Sequence, residues 1–399
     1  MRPAVLVALL VFASLCRGGE LRDAIRSGNA AHVEELLRTT QRYRTEVLHF
    51  DALGATPLHD AAWQGNPDTV RILLQYGAML NARHLGSGAG GGSTPLDYAV
   101  LRGHAEVVEL LLQRHAAIND ALLLAAARTN PGIVRNLLEA GAPVNHRDRA
   151  GLSALDEAAR HGTAEVAEQL LARGASPAVA LQKAAESGNT PVVEVLLRHG
   201  LNPETALDSA IRNQRSDTLR ALLRHLPQPS ATEAALLDRC VLRGETELVR
   251  ILADHGVDVT AQTATGSTPL HDAALKGYPE IAEILLEHGA AIEARDRFGA
   301  TPLHNAALSG RTETAALLLR HGADVNARET ESGSTALYGA ASLGHAALVE
   351  LLLEHGADPR LRNSAGRDPA GAATQNGFPG VADSISRHAP QKTAQKIGN

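Results

Sequence analysis

The sequence predicts an all-α solenoid, and three observations carry that prediction. A helix-pair pattern recurs along the chain at intervals near 33 residues. Of 399 residues, 44% are hydrophobic but only 3% aromatic, so burial falls to Ala, Leu and Val, which are small enough for helices to stack closely. One Trp, five Tyr and four Phe are too few packing anchors for a single large core. A chain that grows by repeats needs no such core, because each unit packs only on its neighbours.

Each unit opens with a capped helix. Thr56-Pro57-Leu58-His59, Thr268-Pro269-Leu270-His271 and Thr301-Pro302-Leu303-His304 share one motif, the last two 33 residues apart, and a relic, Thr335-Ala336-Leu337, follows 34 later. Thr before Pro starts a helix: the hydroxyl can accept an orphan amide proton, and Pro gives up an N–H that had no partner. Leu58, Ala61 and Ala62 then fall at i, i+3 and i+4, one apolar stripe. Gly65 closes this helix, Val70, Leu73 and Leu74 repeat the spacing in a second, and Gly77 supplies a left-handed stop. One such pair cannot bury both its faces, so stacking follows.

The capping motif, the small pairs Ala61-Ala62, Ala273-Ala274, Ala306-Ala307 and Ala340-Ala341, and the His-Gly-Ala endings resemble the ankyrin repeat. The Leu of the first helix recurs at Leu21, Leu58, Leu96, Leu123, Leu155, Leu181, Leu207, Leu237, Leu270, Leu303 and Leu337, with Ala370 in a degenerate last unit. The resemblance implies an ankyrin-type solenoid of about twelve stacked helix-turn-helix repeats over residues 20–388. Central intervals of 26 or 27 residues predict shortened fingers, and one of 38 predicts an enlarged finger at His84 to Ser93. That insertion is a surface extension or a binding tip. The first repeat (Glu20 to about Leu53) and the last (Gly366 to His388) are expected caps, and 389–399 a disordered tail.

The amino terminus has the composition of an export signal: Met1-Arg2-Pro3, an apolar run from Ala4 to Leu15, then Cys16-Arg17-Gly18. Residues 1–18 are expected to be removed, placing the protein in the periplasm or outside the cell; lipidation at Cys16 is the weaker alternative. Cys240 would then be the remaining cysteine, leaving no intramolecular disulfide. Four of the 38 basic residues are Lys and the rest Arg, a bias of GC-rich coding common in bacteria. A net charge of −6 lacks the basic footprint of nucleic-acid binding.

Eighteen histidines invite a catalytic or metal reading, but most repeat with the pattern. His59, His271 and His304 belong to the capping motif. His115, His199, His225, His255, His288, His321 and His355 are expected to end second helices, where a donor suits exposed carbonyls. His104 and His345 follow the mid-repeat Gly. No ligand spacing for zinc appears, nor a phosphate loop or nucleophile elbow, so no cofactor, metal or catalytic residue is expected. Cys240 aligns with Ala61 and Ala273 and is expected to be a buried thiol.

The resemblance implies protein binding on the concave face made by finger tips and inner helices. Positions there that packing leaves free are Leu53, Ala55, Trp63, Gln64, Leu101, Arg102, Arg149, Leu152, Arg160 and His161. Later come Leu275, Lys276, Arg297, Phe298, Leu308, Ser309, Ser342 and Leu343. Trp63, the sole Trp, is either an interface anchor or local packing against the enlarged finger. The expected function is a monomeric, non-catalytic scaffold for an unidentified protein partner, without nucleic acid or an integral membrane span. A secreted factor acting on another organism's proteins is the alternative. An enzyme with an irregular site would need two or more of His32, His49, His84, His146 and His161 in one pocket.

Overall fold

A computed structural model of the chain describes residues 19–52, 54–84, 92–119, 123 and 130–388. The expected leader 1–18, Leu53, the glycine-rich segment 85–91 and the expected tail 389–399 lie outside the described residues. Among those described, the regular elements are helices, and strand-like pairing is limited to two single bridges in fingers, Arg147 with Ser153 and Arg328 with Thr335.

The chain falls into two compact units, one ending at Thr205 and one beginning at Ala206. In the amino-terminal unit the first helices are Glu20–Arg26, Pro57–Gln64, Pro95–Arg102, Ala154–His161 and Ala180–Ser187. Their partners are Ala30–Thr39, Pro67–Gln75, Ala105–Gln113, Pro131–Glu139, Ala164–Ala172 and Thr190–Arg198, with a short extra helix, Gln41–Glu46, after the first pair. The carboxy-terminal unit continues in the same way. Its first helices after the junction helix Glu204–Arg212 are Ala231–Arg243, Pro269–Lys276, Pro302–Leu308, Ala336–Ser342 and Pro369–Gln375. Its second helices are Ser216–Arg224, Thr246–Asp254, Pro279–Glu287, Thr312–Arg320, Ala346–Glu354 and Pro379–His388. Within each unit, first helices pack on first helices and second on second, so each apolar stripe closes the next. Every Leu that marks the first-helix register is buried. Connections shrink to 199–203 and 225–230, whereas full fingers run 288–301 and 321–335.

The helix starts use two chemistries. At Thr94/Asp97 and Ser153/Asp156 the hydroxyl accepts the third residue's amide proton while the carboxylate takes the cap amide. In the Thr-Pro-Leu-His units the Thr hydroxyl instead lies on the His ring. Nδ1 of His59 accepts the Thr56 amide proton at 3.0 Å, so the opposite ring nitrogen carries the hydrogen and donates to the Ser93 carbonyl at 3.0 Å, one repeat later. His271 on Ala300 and His304 on Ser334 repeat the arrangement. These buried rings bind each repeat to the next.

The mid-repeat glycines do more than end a helix. Gly65 and Gly310 are left-handed, and a Cβ on either would collide with the ring of His104 or His345, the side chain that the next repeat lays over them. Those rings also reach the Trp63 carbonyl at 2.9 Å and the Leu308 carbonyl at 3.4 Å.

His199, His225, His255, His288, His321 and His355 cap second helices as expected. His115 does not; the cap there is Arg114, and His115 sits one place later with φ 63°, where other repeats carry glycine. A Cβ is disfavoured there by roughly 1–2 kcal/mol, partly offset by the extra freedom glycine has when unfolded. His115→Gly is therefore expected to stabilise the amino-terminal unit by about 0.5–1 kcal/mol. A lower denaturant midpoint for the variant would refute this.

The first repeat is tied in electrostatically. Arg22 Nη1 pairs with Asp60 and, at 3.2 Å, with Asp51, while Nη2 donates to the Ala55 carbonyl at 2.7 Å. Arg26 lies 3.7 Å from the other Asp60 oxygen. Burial pushes the Asp60 carboxyl up, and the two arginines pull it back down.

Candidate interaction face

Packing decides which side of a first helix stays open. The small pair is buried against neighbouring helices, so the residue after it turns outward. In the carboxy-terminal unit that slot holds Leu242, Leu275 and Leu308 on successive helices, and Leu343 stands one residue further on after Ala340-Ala341; all four are exposed. In the amino-terminal unit the slot holds Trp63, Leu101, which is 61% exposed, and Arg160. Among the described residues, every exposed large hydrophobic lies on a first helix, its cap or a finger, none on a second helix. The others are Leu48 and Phe50 near the first finger and Phe298 at a finger tip.

Trp63 packs locally, on the first helix of the next repeat. Its half-buried ring stands edge-on to Tyr98 with centroids 5.5 Å apart, and the Arg102 guanidinium lies 4.7 Å from its centroid. Tyr98 also meets His59 and His84, and the His84 amide donates to the Ser93 carbonyl at the neck of the enlarged finger. Burial, with Asp60, Asp51 and Asp97 nearby, pushes the Tyr98 hydroxyl up to about 12. Trp63 is thus braced by the neighbouring repeat.

The remaining expected positions divide. Gln64, Arg102, Arg149, His161, Lys276 and Arg297 are exposed, and Arg160 is half-buried. Arg297 stacks its guanidinium 4.5 Å from the Phe298 centroid, and the Phe298 carbonyl accepts the Thr330 amide, fixing that tip on the next finger. Ala55 is not free: it is fully buried, with its carbonyl on Arg22. Ser342 is half-buried, its hydroxyl on the Gly339 carbonyl and its own carbonyl on Asn376. Leu152 and Ser309 are half-buried. Leu242 was not anticipated, although its offset after Cys240-Val241 matches that of Leu275 after its alanine pair.

The polar groups give little chemistry to this face. Among the described residues no three His, Cys, Asp or Glu side chains are arranged to hold a metal ion. His84 packs against His59 and Tyr98, and His32 lies 3.7 Å from Glu35. Burial and the nearby Glu245 push the fully buried Cys240 thiol up to about 12, far from a reactive thiolate. Asp238, in the slot that His271 fills one repeat later, is pushed up to about 6 by burial and by Asp272. No described helix is long and apolar enough to cross a membrane.

Stacked helix pairs, with open apolar side chains on the first helices and fingers of each unit, define a helical repeat protein. The sequence model for ankyrin repeats, which spans three copies, matches residues 21–121, 96–179, 225–296 and 292–363, and the chain belongs to the ankyrin repeat family. It is similar to a potassium channel, AKT2/3, of Arabidopsis thaliana, at 31% identity over 151 residues, 38% of this chain. The match spans 18% of the channel's length. Ankyrin repeats are in general modules of protein–protein interaction, and the family is typically non-catalytic.

Proposed function

We propose that this protein is an exported, non-catalytic recognition scaffold that binds a protein partner across its first helices and finger tips. The observation that carries the reading is that, among the described residues, the exposed large hydrophobics lie on first helices, their caps and fingers. Apolar side chains gathered on one set of helices within a unit are a usual mark of an interaction surface. Export rests on the Met1 to Gly18 segment, with a mature chain beginning at Gly19. The test uses residues 20–399 as bait beside a Trp63→Ala, Phe298→Ala double variant, in capture from extract and medium. A protein held by the wild type and lost from the folded variant is the expected result; equal capture by both would move the interface elsewhere. Amino-terminal sequencing of fractionated protein checks export, and an intact Met1 start in the cytoplasm would overturn it.

A further inference from the structure

The leucine row of the carboxy-terminal unit has a spacing and a charged border, and both constrain what covers it. Leu242, Leu275 and Leu308 come one per repeat, and packed helices lie roughly 8–10 Å apart. An α-helix advances about 10.5 Å in seven residues, so apolar side chains at i, i+7 and i+14 meet the three leucines in register. On the glycine side of the row stand the exposed Arg243 and Lys276. On the finger side stand Asp238 and Asp272, half-buried and mutually repelling. The second helices of the same unit carry both signs, Arg220, Arg250 and Arg320 beside Glu280, Glu287 and Glu313, whereas the leucine row has its two cations on one side and its two carboxylates on the other, with Arg243 also 3.8 Å from Glu245.

We propose that the row of Leu242, Leu275 and Leu308 receives an amphipathic helix of the partner, with apolar residues at heptad spacing and acidic residues on one flank, facing Arg243 and Lys276. This inference rests on the recognition role proposed above and names the partner's chemistry. Acids on the opposite flank would meet Asp238 and Asp272, so the charges also set the helix's orientation.

The probes are synthetic helical peptides of roughly 20 residues with Leu at i, i+7 and i+14. One carries Glu on a single flank, a second Lys in the same places, and a third the first composition scrambled. Binding to the full chain is read by fluorescence anisotropy at low salt. The Glu peptide is expected to bind at least about tenfold more tightly than the other two. Leu275→Asp with Leu308→Asp should abolish its binding while the helical signal and melting curve are kept. Arg243→Glu with Lys276→Glu should reverse the preference toward the Lys peptide. Equal binding of the Glu and Lys peptides, an unmoved preference in the charge variant, or no binding of the Glu peptide overturns the proposal. If the bait above still captures a partner through Trp63 and Phe298 while the peptides fail, the recognition role stands and the acidic helix falls.

Discussion

Arg22→Ala is expected to cost the amino-terminal unit about 3–5 kcal/mol, the usual penalty for leaving one member of a buried ion pair behind. Asp60 is 2% exposed, and Arg22 supplies its closest cation while holding the Ala55 carbonyl and Asp51 as well. Without Arg22, that carboxyl faces Arg26 at 3.7 Å and little water. The loss should be local: amide exchange over residues 20–64 should speed up far more than in the carboxy-terminal unit, because repeats contact only their neighbours. Adding Asp60→Asn to the variant removes the stranded charge and should recover most of the stability. A double variant no more stable than Arg22→Ala alone would show that the loss comes from missing side-chain packing instead.

Acid should weaken the protein through its capping histidines. Burial lowers the His59 ring to about 4, and His271 and His304 move in the same direction for the same reason. In the unfolded chain such a ring titrates near 6.5. Between 6.5 and about 4 the unfolded state binds the proton first, so stability is full above 6.5 and falls with pH across that window. For His59 the loss approaches about 3 kcal/mol at the lower end, at 1.36 kcal/mol per pH unit. Asp60, Asp238 and Asp272 are raised and act in the opposite sense, gaining stability as pH falls, so the comparison is made against a variant that keeps them. His59→Gln is expected to be less stable than the wild type at pH 7 and to converge on it by pH 4.5, measured by denaturant midpoints. Curves that stay parallel would show that the ring does not titrate in this window.

Much of this molecule was legible in its residues because an ankyrin unit is specified locally. Thr-Pro caps, paired alanines and terminal glycines act within one helix pair, and their 33-residue recurrence predicts a stack before any contact is known. The shortened connections at 173–179 and 199–203 were likewise readable as missing residues. The position after the small pair identified Trp63, Leu101, Leu275 and Leu308 as outward-facing for the same local reason.

Partnerships between repeats were decided only by the tertiary structure. The sequence marks His59 as a motif residue, but not that its ring donates to Ser93 one repeat later, nor that His104 covers Gly65. Ala55 is expected to be free, but its carbonyl is held both by the Asp51 amide and by Arg22, distant in sequence. His115 looked like a helix cap until its positive φ showed the register shifted by one residue. Local hydrogen bonding and helical periodicity are written in short spans of chain. Which side chain of one repeat meets which carbonyl, glycine or carboxylate of the next depends on stacking geometry that no single span contains.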